Sequence, residues 1–214
     1  MTSSYLAPAA SQAYTLDLVR RADRDRFLGA LFAPEPARRG LLALLALDHE
    51  LGRTRSVTRE PLLARMRLQW WREAAQQAAG GDQPRAQPIA ESLSETARRH
   101  RLTAEQLVAL VDAHEDEVDG PLDVQRAGYA LADLELAVLG VDDAASRRAA
   151  RAIATAWLMG DGSERDTLLA EARGLRGRID RAVLPILLPA LSLGGIAPWR
   201  RPLAYWWSAK RGRY

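Results

Sequence analysis

The chain has 214 residues, 48% hydrophobic and 27% charged, which is the balance expected of one well-cored globular domain. It contains no cysteine, which excludes disulfides, thiolate metal ligands and thiol nucleophiles. The net charge is only +3 and no zinc signature or RNA-binding sheet motif accompanies it, so we predict no nucleic-acid partner.

The first residues, 1–14, have neither a basic start nor the apolar stretch of a secretory signal. We therefore expect a disordered lead-in over 1–14, followed by a single helical domain over 15–214. We also expect a cytoplasmic protein.

The hydrophobic pattern of the chain is helical. Apolar residues recur with a period near 3.6, and no stretch alternates with a period of two for more than a few residues. Turn-forming residues divide the chain into roughly nine helical segments. Thr103 and Gln106 have the spacing of a capping box, which predicts a helix start. The predicted fold class is all-α.

A helix predicted over 37–51 carries leucines on every side, so other helices should surround it. Its last turn holds Asp48, His49 and Glu50, which would face the interior or a cleft, where an unpaired charge is costly. Because Arg53 follows Glu50 by three residues, we predict that these two side chains form an ion pair.

The next predicted helix, over 61–79, is amphipathic and should lie on the core. Arginines surround its apolar positions. The predicted core-facing stripe comprises Leu63, Met66, Trp70, Ala74 and Ala78, with Trp71 beside it.

The helix that begins after Thr103 carries an acidic stripe. Its members are spaced i, i+3, i+4 and i+7, which is either a solvated helix face or a weak metal site. His114 lies among them, where it could tune their charge. The stripe consists of Asp112, Glu115, Asp116 and Asp119.

Residues 182–199 contain no charge and reach the lower length limit of a membrane-spanning helix. Pro185, Pro189 and the pair Gly194–Gly195 interrupt the segment, so we predict a buried core helix instead.

The C-terminal tail, 198–214, combines tryptophans and tyrosines with cations and has no acidic residue. One interpretation is peripheral contact with an anionic membrane at its inner, cytoplasmic face. The other is that the tryptophans pack back on the domain while the arginines are solvated. The cations of the tail are Arg200, Arg201, Lys210, Arg211 and Arg213.

Residues 23–74 resemble the N-terminal part of the squalene/phytoene synthase family. The resemblance rests on the Arg/Phe/Leu lead-in, a Pro-x-x-x-Arg turn, the long apolar helix and the segment Leu-Gln-Trp-Trp-Arg-Glu at 68–73. Residues 176–196 resemble a closing apolar helix of the same family. The chain is most similar to a degenerate branch that includes a mitochondrial complex I assembly factor.

The resemblance implies an isoprenoid-synthase-like helical bundle around a central cavity, shortened in its C-terminal half. In catalytic members two DxxxD motifs face each other across that cavity and hold Mg²⁺, which binds the substrate diphosphate. Alignment places the first motif at 52–56, where this sequence reads Gly-Arg-Thr-Arg-Ser. It places the second near 157–166, where Asp161 and Asp166 are five residues apart and fall on different helix faces.

Both metal motifs are therefore predicted to be missing, and no cofactor is expected. Arg53 and Arg55 could instead bind an anion through their guanidinium groups. Asp112, Asp116 and Asp119 are weak metal candidates, the last because family members carry a carboxylate in this helix. The full set of cavity or anion-binding candidates is Asp48, His49, Glu50, Arg53, Arg55, Gln69 and Trp70.

Two functional hypotheses follow. The first is a non-catalytic family member that binds an isoprenoid or other lipid, or a protein partner, in respiratory complex assembly as the resemblance suggests. The second is an active transferase that joins two isoprenyl diphosphates, with Mg²⁺ held by the acidic stripe over 112–119. A purely structural helical scaffold is not separable from the first hypothesis by sequence.

Overall fold

The computed structural model describes residues 8–57 and 60–214, apart from the side chains of Pro8 and Arg55. Every regular element in these ranges is a helix, which confirms the all-α prediction. Short 3₁₀ helices lie at Asp116–Val118, Arg181–Val183 and Pro198–Arg200. The α-helices are α1 (Pro8–Ala22), α2 (Arg24–Ala30), α3 (Glu35–Gly52), α4 (Thr54–Val57), α5 (Pro61–Gly80), α6 (Pro88–His100), α7 (Ala104–Glu115), α8 (Val124–Leu139), α9 (Ala144–Leu158), α10 (Ser163–Gly174), α11 (Leu184–Leu187), α12 (Ala190–Leu193) and α13 (Arg201–Arg211).

Helix α3 lies at the centre of the bundle. It packs against α1, α6 and α8, and its leucines from Leu41 to Leu47 are almost fully buried, as the all-round apolar pattern predicts. A second apolar cluster joins α8 to α9, α10 and α11. Helix α8 contributes to both clusters, so it connects the two halves of the core.

Local sequence explains how several helices begin and how two of them meet. Thr103 and Gln106 form the predicted capping box at the start of α7. Asp123 and Asp143 accept backbone N–H groups at the starts of α8 and α9. Gly29 is required where α2 meets α11, because a Cβ there would lie 2.4 Å from the carbonyl oxygen of Pro185.

The prediction of a disordered lead-in is wrong for residues 8–14, which belong to α1; residues 1–7 lie outside the described residues. Ser11, Thr15 and Val19 are spaced by four residues and buried, so they form the inner face of this helix against α3 and α6.

The predicted core stripe of α5 is only partly correct: Ala74, Ala78 and the neighbouring Trp71 are buried, but the rest of the stripe is not. The helix is rotated so that small and aromatic residues on another face are buried, whereas Leu63 and Met66 are exposed. Alanine allows close approach of α6 and α7, and this packing outweighs the burial of the longer side chains. The buried face comprises Ala64, Leu68, Trp71, Ala75 and Ala78, together with Ala74.

The uncharged segment 182–199 does not form one core helix. Pro189 separates two four-residue helices, α11 and α12, and Gly194–Gly195 ends the second. Leu184 and Leu187 are nonetheless buried, as expected of a core segment. Within residues 8–57 and 60–214 no helix is both long enough and apolar enough to span a bilayer.

Candidate functional site

Four helices, α2, α3, α7 and α8, bring charged side chains together in the interior near the C-terminal end of α3. Asp48 is buried there, and Arg26 of α2 donates from Nη1 to its Oδ2 at 3.0 Å. The Nε2 atom of His114, on α7, lies 3.4 Å from the other carboxylate oxygen of Asp48. Each oxygen of Asp48 therefore has its own cationic partner.

The same arginine links this pair to the start of α2. Arg26 Nε donates to Asp23 Oδ2 at 2.5 Å, and the same oxygen accepts from Trp157 Nε1 at 3.1 Å. Glu135 on α8 is also buried and interacts electrostatically with Arg26. We call Asp23, Arg26, Asp48, His114 and Glu135 the interior ion cluster.

Within the interior ion cluster, burial and neighbouring charges shift the pKa values of Asp48 and His114 in opposite directions. Burial raises the pKa of Asp48, but Arg26 and His114 outweigh that effect and hold it at about 2. Burial lowers the pKa of His114, but the carboxylates of Asp48 and Glu117 overcome it and raise the pKa to about 9. Burial is the main reason why the pKa of Glu135 rises to about 8. At neutral pH, Asp48 is thus ionised, His114 is protonated and Glu135 is mostly neutral.

The cavity beside this cluster is nearly filled. Arg26, Glu135 and Trp157 form its polar end, and aliphatic side chains of α2, α3, α8, α9 and α11 form the rest. Its volume is about 20 Å³, which is room for roughly one water molecule. The helical bundle expected from the family resemblance is present, but side chains occupy its centre.

A second ion group lies at the C-terminal end of α3. Glu50 is buried and accepts from Arg53 Nη1 at 2.8 Å, which confirms the predicted pair. Arg67 of α5 donates to the other oxygen of Glu50, also at 2.8 Å. Both guanidinium groups are partly exposed, so this group lies at the protein surface rather than in the cavity.

The remaining candidates from the apolar helix and α5 do not join either group. His49 is half-buried, and burial lowers its pKa. Gln69 is exposed and forms hydrogen bonds with Glu73 and Arg72 of its own helix. Trp70 stands edge-on to Trp71 with Arg85 over its ring, on the outer side of α5. The side chain of Arg55 lies outside the description.

The acidic stripe is not one continuous helix face, because α7 ends at Glu115 and a 3₁₀ turn follows. Arginines from neighbouring elements bind each of its carboxylates. Arg72 binds Asp112 and Glu115, Arg126 binds Asp116, and Arg65 donates to both oxygens of Asp119. His114 is not part of this stripe, since it lies on the opposite, buried face with Val111 and Val118.

Sequence reasoning missed Arg26, Asp23 and Glu135, and it assigned His114 to the acidic stripe instead of the interior. Glu135 had a usable signal, because it is a charged residue with a leucine on each side, Leu134 and Leu136. The other three lie in ordinary charged stretches, and only the packing of α2 and α7 against α3 turns them inward.

Comparison with known proteins shows which family this chain resembles. The squalene/phytoene synthase family pattern matches residues 19–159. The "NADH dehydrogenase (ubiquinone) complex I, assembly factor 6" of Rattus norvegicus is 31% identical over 155 residues, covering 68% of this chain and 46% of the relative. The protein of that name from Homo sapiens is 32% identical over 106 residues, covering 50% of this chain and 32% of the relative. The matched region thus spans less than half the length of these relatives.

Squalene synthase HpnC from Alicyclobacillus acidocaldarius shares the fold. Its crystal structure superimposes with a TM-score of 0.68 at 15% identity, covering 92% of this chain and 95% of that one. At 15% identity, this similarity supports a shared fold and no shared function. On the family pattern matched over most of its length, this chain belongs to the squalene/phytoene synthase family.

Proposed function

We propose that this chain is a non-catalytic member of its family that binds a protein partner during assembly of a respiratory complex. The observation that carries the proposal is the pairing of both carboxylate oxygens of Asp48 with Arg26 and His114 beside a filled cavity. The buried carboxylate of Asp48 at the centre of the bundle is therefore already paired within the protein.

Ionisation of an isoprenyl diphosphate requires Mg²⁺ held by several free carboxylates. The segment at which we expect the first family motif, 52–56, starts at the last residue of α3 and offers no carboxylate. The segment aligned with the second, 157–166, leaves helix α9 after Leu158 and starts α10 only at Ser163. These side chains do not fit a magnesium–diphosphate cluster, and the arginine-bound acids of the acidic stripe fit it no better.

The size of the cavity beside the interior ion cluster argues against an isoprenoid enclosed at that position. A volume of about 20 Å³ is far below the few hundred Å³ of ordinary small-molecule pockets. A prenyl chain would have to displace leucines of α3 and α8 that close packing holds in place.

An exposed apolar surface on α5 supplies a candidate contact for such a partner. Leu62 and Met66, one turn apart, are 69% and 62% exposed, and Leu63 lies beside them. Contiguous exposed apolar side chains of this kind often mark protein interfaces. We call these three residues the α5 apolar face. Its exposed neighbours include the ion pair of Arg65 with Asp119, so a partner with an apolar patch and a polar edge would complement it.

The names of the relatives support the choice of partner. The proteins from rat and human are called assembly factors of NADH dehydrogenase (ubiquinone) complex I. The chain shares less than half of their length, so the partner is proposed on the matched region alone.

The proposal is tested by deleting the gene in its source organism and measuring assembled NADH dehydrogenase on native gels. Wild-type protein should restore assembly, whereas the Leu62→Ser/Met66→Ser variant should not. A matched control is Tyr14→Ser/Leu16→Ser, which alters two exposed apolar residues of α1. Normal assembly without the gene would overturn the assembly role, and loss of an isoprenoid product with assembly intact would favour the transferase.

A further inference from the structure

The C-terminal helix α13 is fixed to the domain along one side. Tyr205 is fully buried, and its hydroxyl lies 2.7 Å from Ser192 Oγ. Arg201 donates to the Ile196 carbonyl at 3.0 Å and binds Asp25 of α2. These contacts determine which side of the helix faces outward.

The outward side carries large apolar and aromatic residues. Trp199 is 76% exposed, Leu203 69%, and Trp206 and Trp207 48% each. Leu203, Trp206 and Lys210 of α13 are spaced i, i+3 and i+7, so they lie on one face of the helix, and Trp199 lies in the 3₁₀ turn just before it. Trp199 therefore does not pack back on the domain, whereas Trp206 and Trp207 are half-covered and half-exposed.

Cations lie over the exposed rings. Arg200 is 4.6 Å from the ring centre of Trp199, Lys210 is 5.1 Å from that of Trp206, and Arg211 is 4.2 Å from that of Trp207. Residues 198–214 contain no acid, and the Asp25 carboxylate that contacts α13 is largely buried against Arg201. We call Trp199, Leu203, Trp206, Trp207 and their three cations the α13 face.

We propose that the α13 face docks on an anionic lipid membrane, with the helix lying in the plane of the headgroups. Indole rings favour the headgroup region because they join an apolar body to a polar edge, and clustered cations are attracted to anionic lipid. An 11-residue helix is about 16 Å long, too short to cross the hydrocarbon core.

A lipid surface fits this face better than a protein does. The exposed side chains from Pro198 to Arg213 are apolar, aromatic or cationic, with no carboxylate, amide or hydroxyl among them. A protein partner presents donors, acceptors and both signs of charge, whereas a leaflet presents phosphates above hydrocarbon. The cations of the α13 face complement lipid phosphates, and its apolar and aromatic side chains complement the hydrocarbon below them.

Co-sedimentation of the full chain with vesicles tests the proposal. One set contains phosphatidylcholine alone, and in the other about a third of the lipid is phosphatidylglycerol, which supplies the anionic surface. The chain should bind the anionic vesicles at low salt and release from them at about 0.5 M salt, where surface charges are screened.

Two variants assign the binding to the α13 face. Lys210→Gln/Arg211→Gln should weaken binding roughly tenfold, and Trp199→Ser/Leu203→Ser/Trp206→Ser should weaken it at least as much. The charge-matched control, Arg98→Gln/Arg99→Gln on α6, should bind like wild type. No binding at low salt, equal binding to neutral vesicles, equal weakening by the control, or unchanged binding by both α13 variants would each overturn the proposal.

Discussion

The interior ion cluster and the α13 face use the same kinds of side chain in opposite ways. In the cluster, Arg26 and His114 each bind a buried carboxylate, so the charges are neutralised within the protein. On α13, Lys210 and Arg211 lie over aromatic rings and no acid in the tail opposes them. Charges of the first kind hold the fold together, whereas charges of the second kind are available to another surface.

This difference predicts that substitutions in the two regions have separate effects. Changes in the interior ion cluster should alter the free energy of unfolding, because they leave an unmatched charge in the core. Changes on the α13 face should alter binding and leave stability nearly constant, because their side chains are already solvated.

The largest expected effect is that of Asp48→Ala. It leaves Arg26 and His114 facing each other without their shared carboxylate, and breaking a buried pair in this way costs about 3–5 kcal/mol. Urea unfolding measures the loss. The control is Asp119→Ala, which removes an exposed pair with Arg65 and should cost under about 1 kcal/mol. Equal losses in the two variants would show that the interior cluster is no more important to folding than a surface pair.

The interior ion cluster should also make stability fall as the pH rises. Glu135 has a folded pKa of about 8 against an ordinary 4.5, so the folded state retains a proton that the unfolded chain loses over this range. His114, at about 9 against 6.5, acts in the same direction between those values. Asp48, at about 2 against 3.8, stabilises the fold above pH 3.8 and loses this contribution as the pH falls to 2.

Urea midpoints measured from pH 3 to pH 9 should therefore peak at about pH 4–5 and then decline. Glu135→Gln should remove most of the decline between about pH 4.5 and 8, because glutamine has no proton to lose there. A flat profile in the wild type, or an unchanged decline in this variant, would contradict the assigned protonation states.

A smaller effect is expected for Glu50→Ala. Its partners Arg53 and Arg67 are partly exposed and can turn to solvent when the carboxylate is removed, which limits the loss to about 1–2 kcal/mol. Unfolding in urea should show this loss clearly below that of Asp48→Ala. An unchanged midpoint would mean that the surface ion group contributes nothing to the fold.

The smallest effect should come from Leu203→Ser on the α13 face. The side chain is mostly exposed, so its replacement should change the free energy of unfolding by no more than about 0.5 kcal/mol. Thermal unfolding checks this directly. A loss of several kcal/mol would show that Leu203 is part of the core and not of a docking surface.

The amino-acid pattern predicted the helices well and their contacts poorly. The leucines of α3, the capping box at Thr103 and the Glu50–Arg53 pair follow from local spacing, and the structure contains them. On α5 the prediction wrongly buried Leu63 and Met66, because alanines, which periodicity weighs lightly, pack closer than leucine or methionine. The interior ion cluster could not be predicted, since Arg26 and Asp48 are 22 residues apart and meet only through tertiary packing.

The measurement that tests the central claim most directly is incubation of the full chain with farnesyl diphosphate and Mg²⁺. Released pyrophosphate and any hydrocarbon product are quantified, with calorimetry reporting magnesium-dependent binding. We expect neither product nor such binding, because the interior carboxylates are already bound to Arg26 and His114. Magnesium-dependent product formation that disappears in Asp112→Asn/Asp116→Asn would contradict it and identify the chain as a transferase.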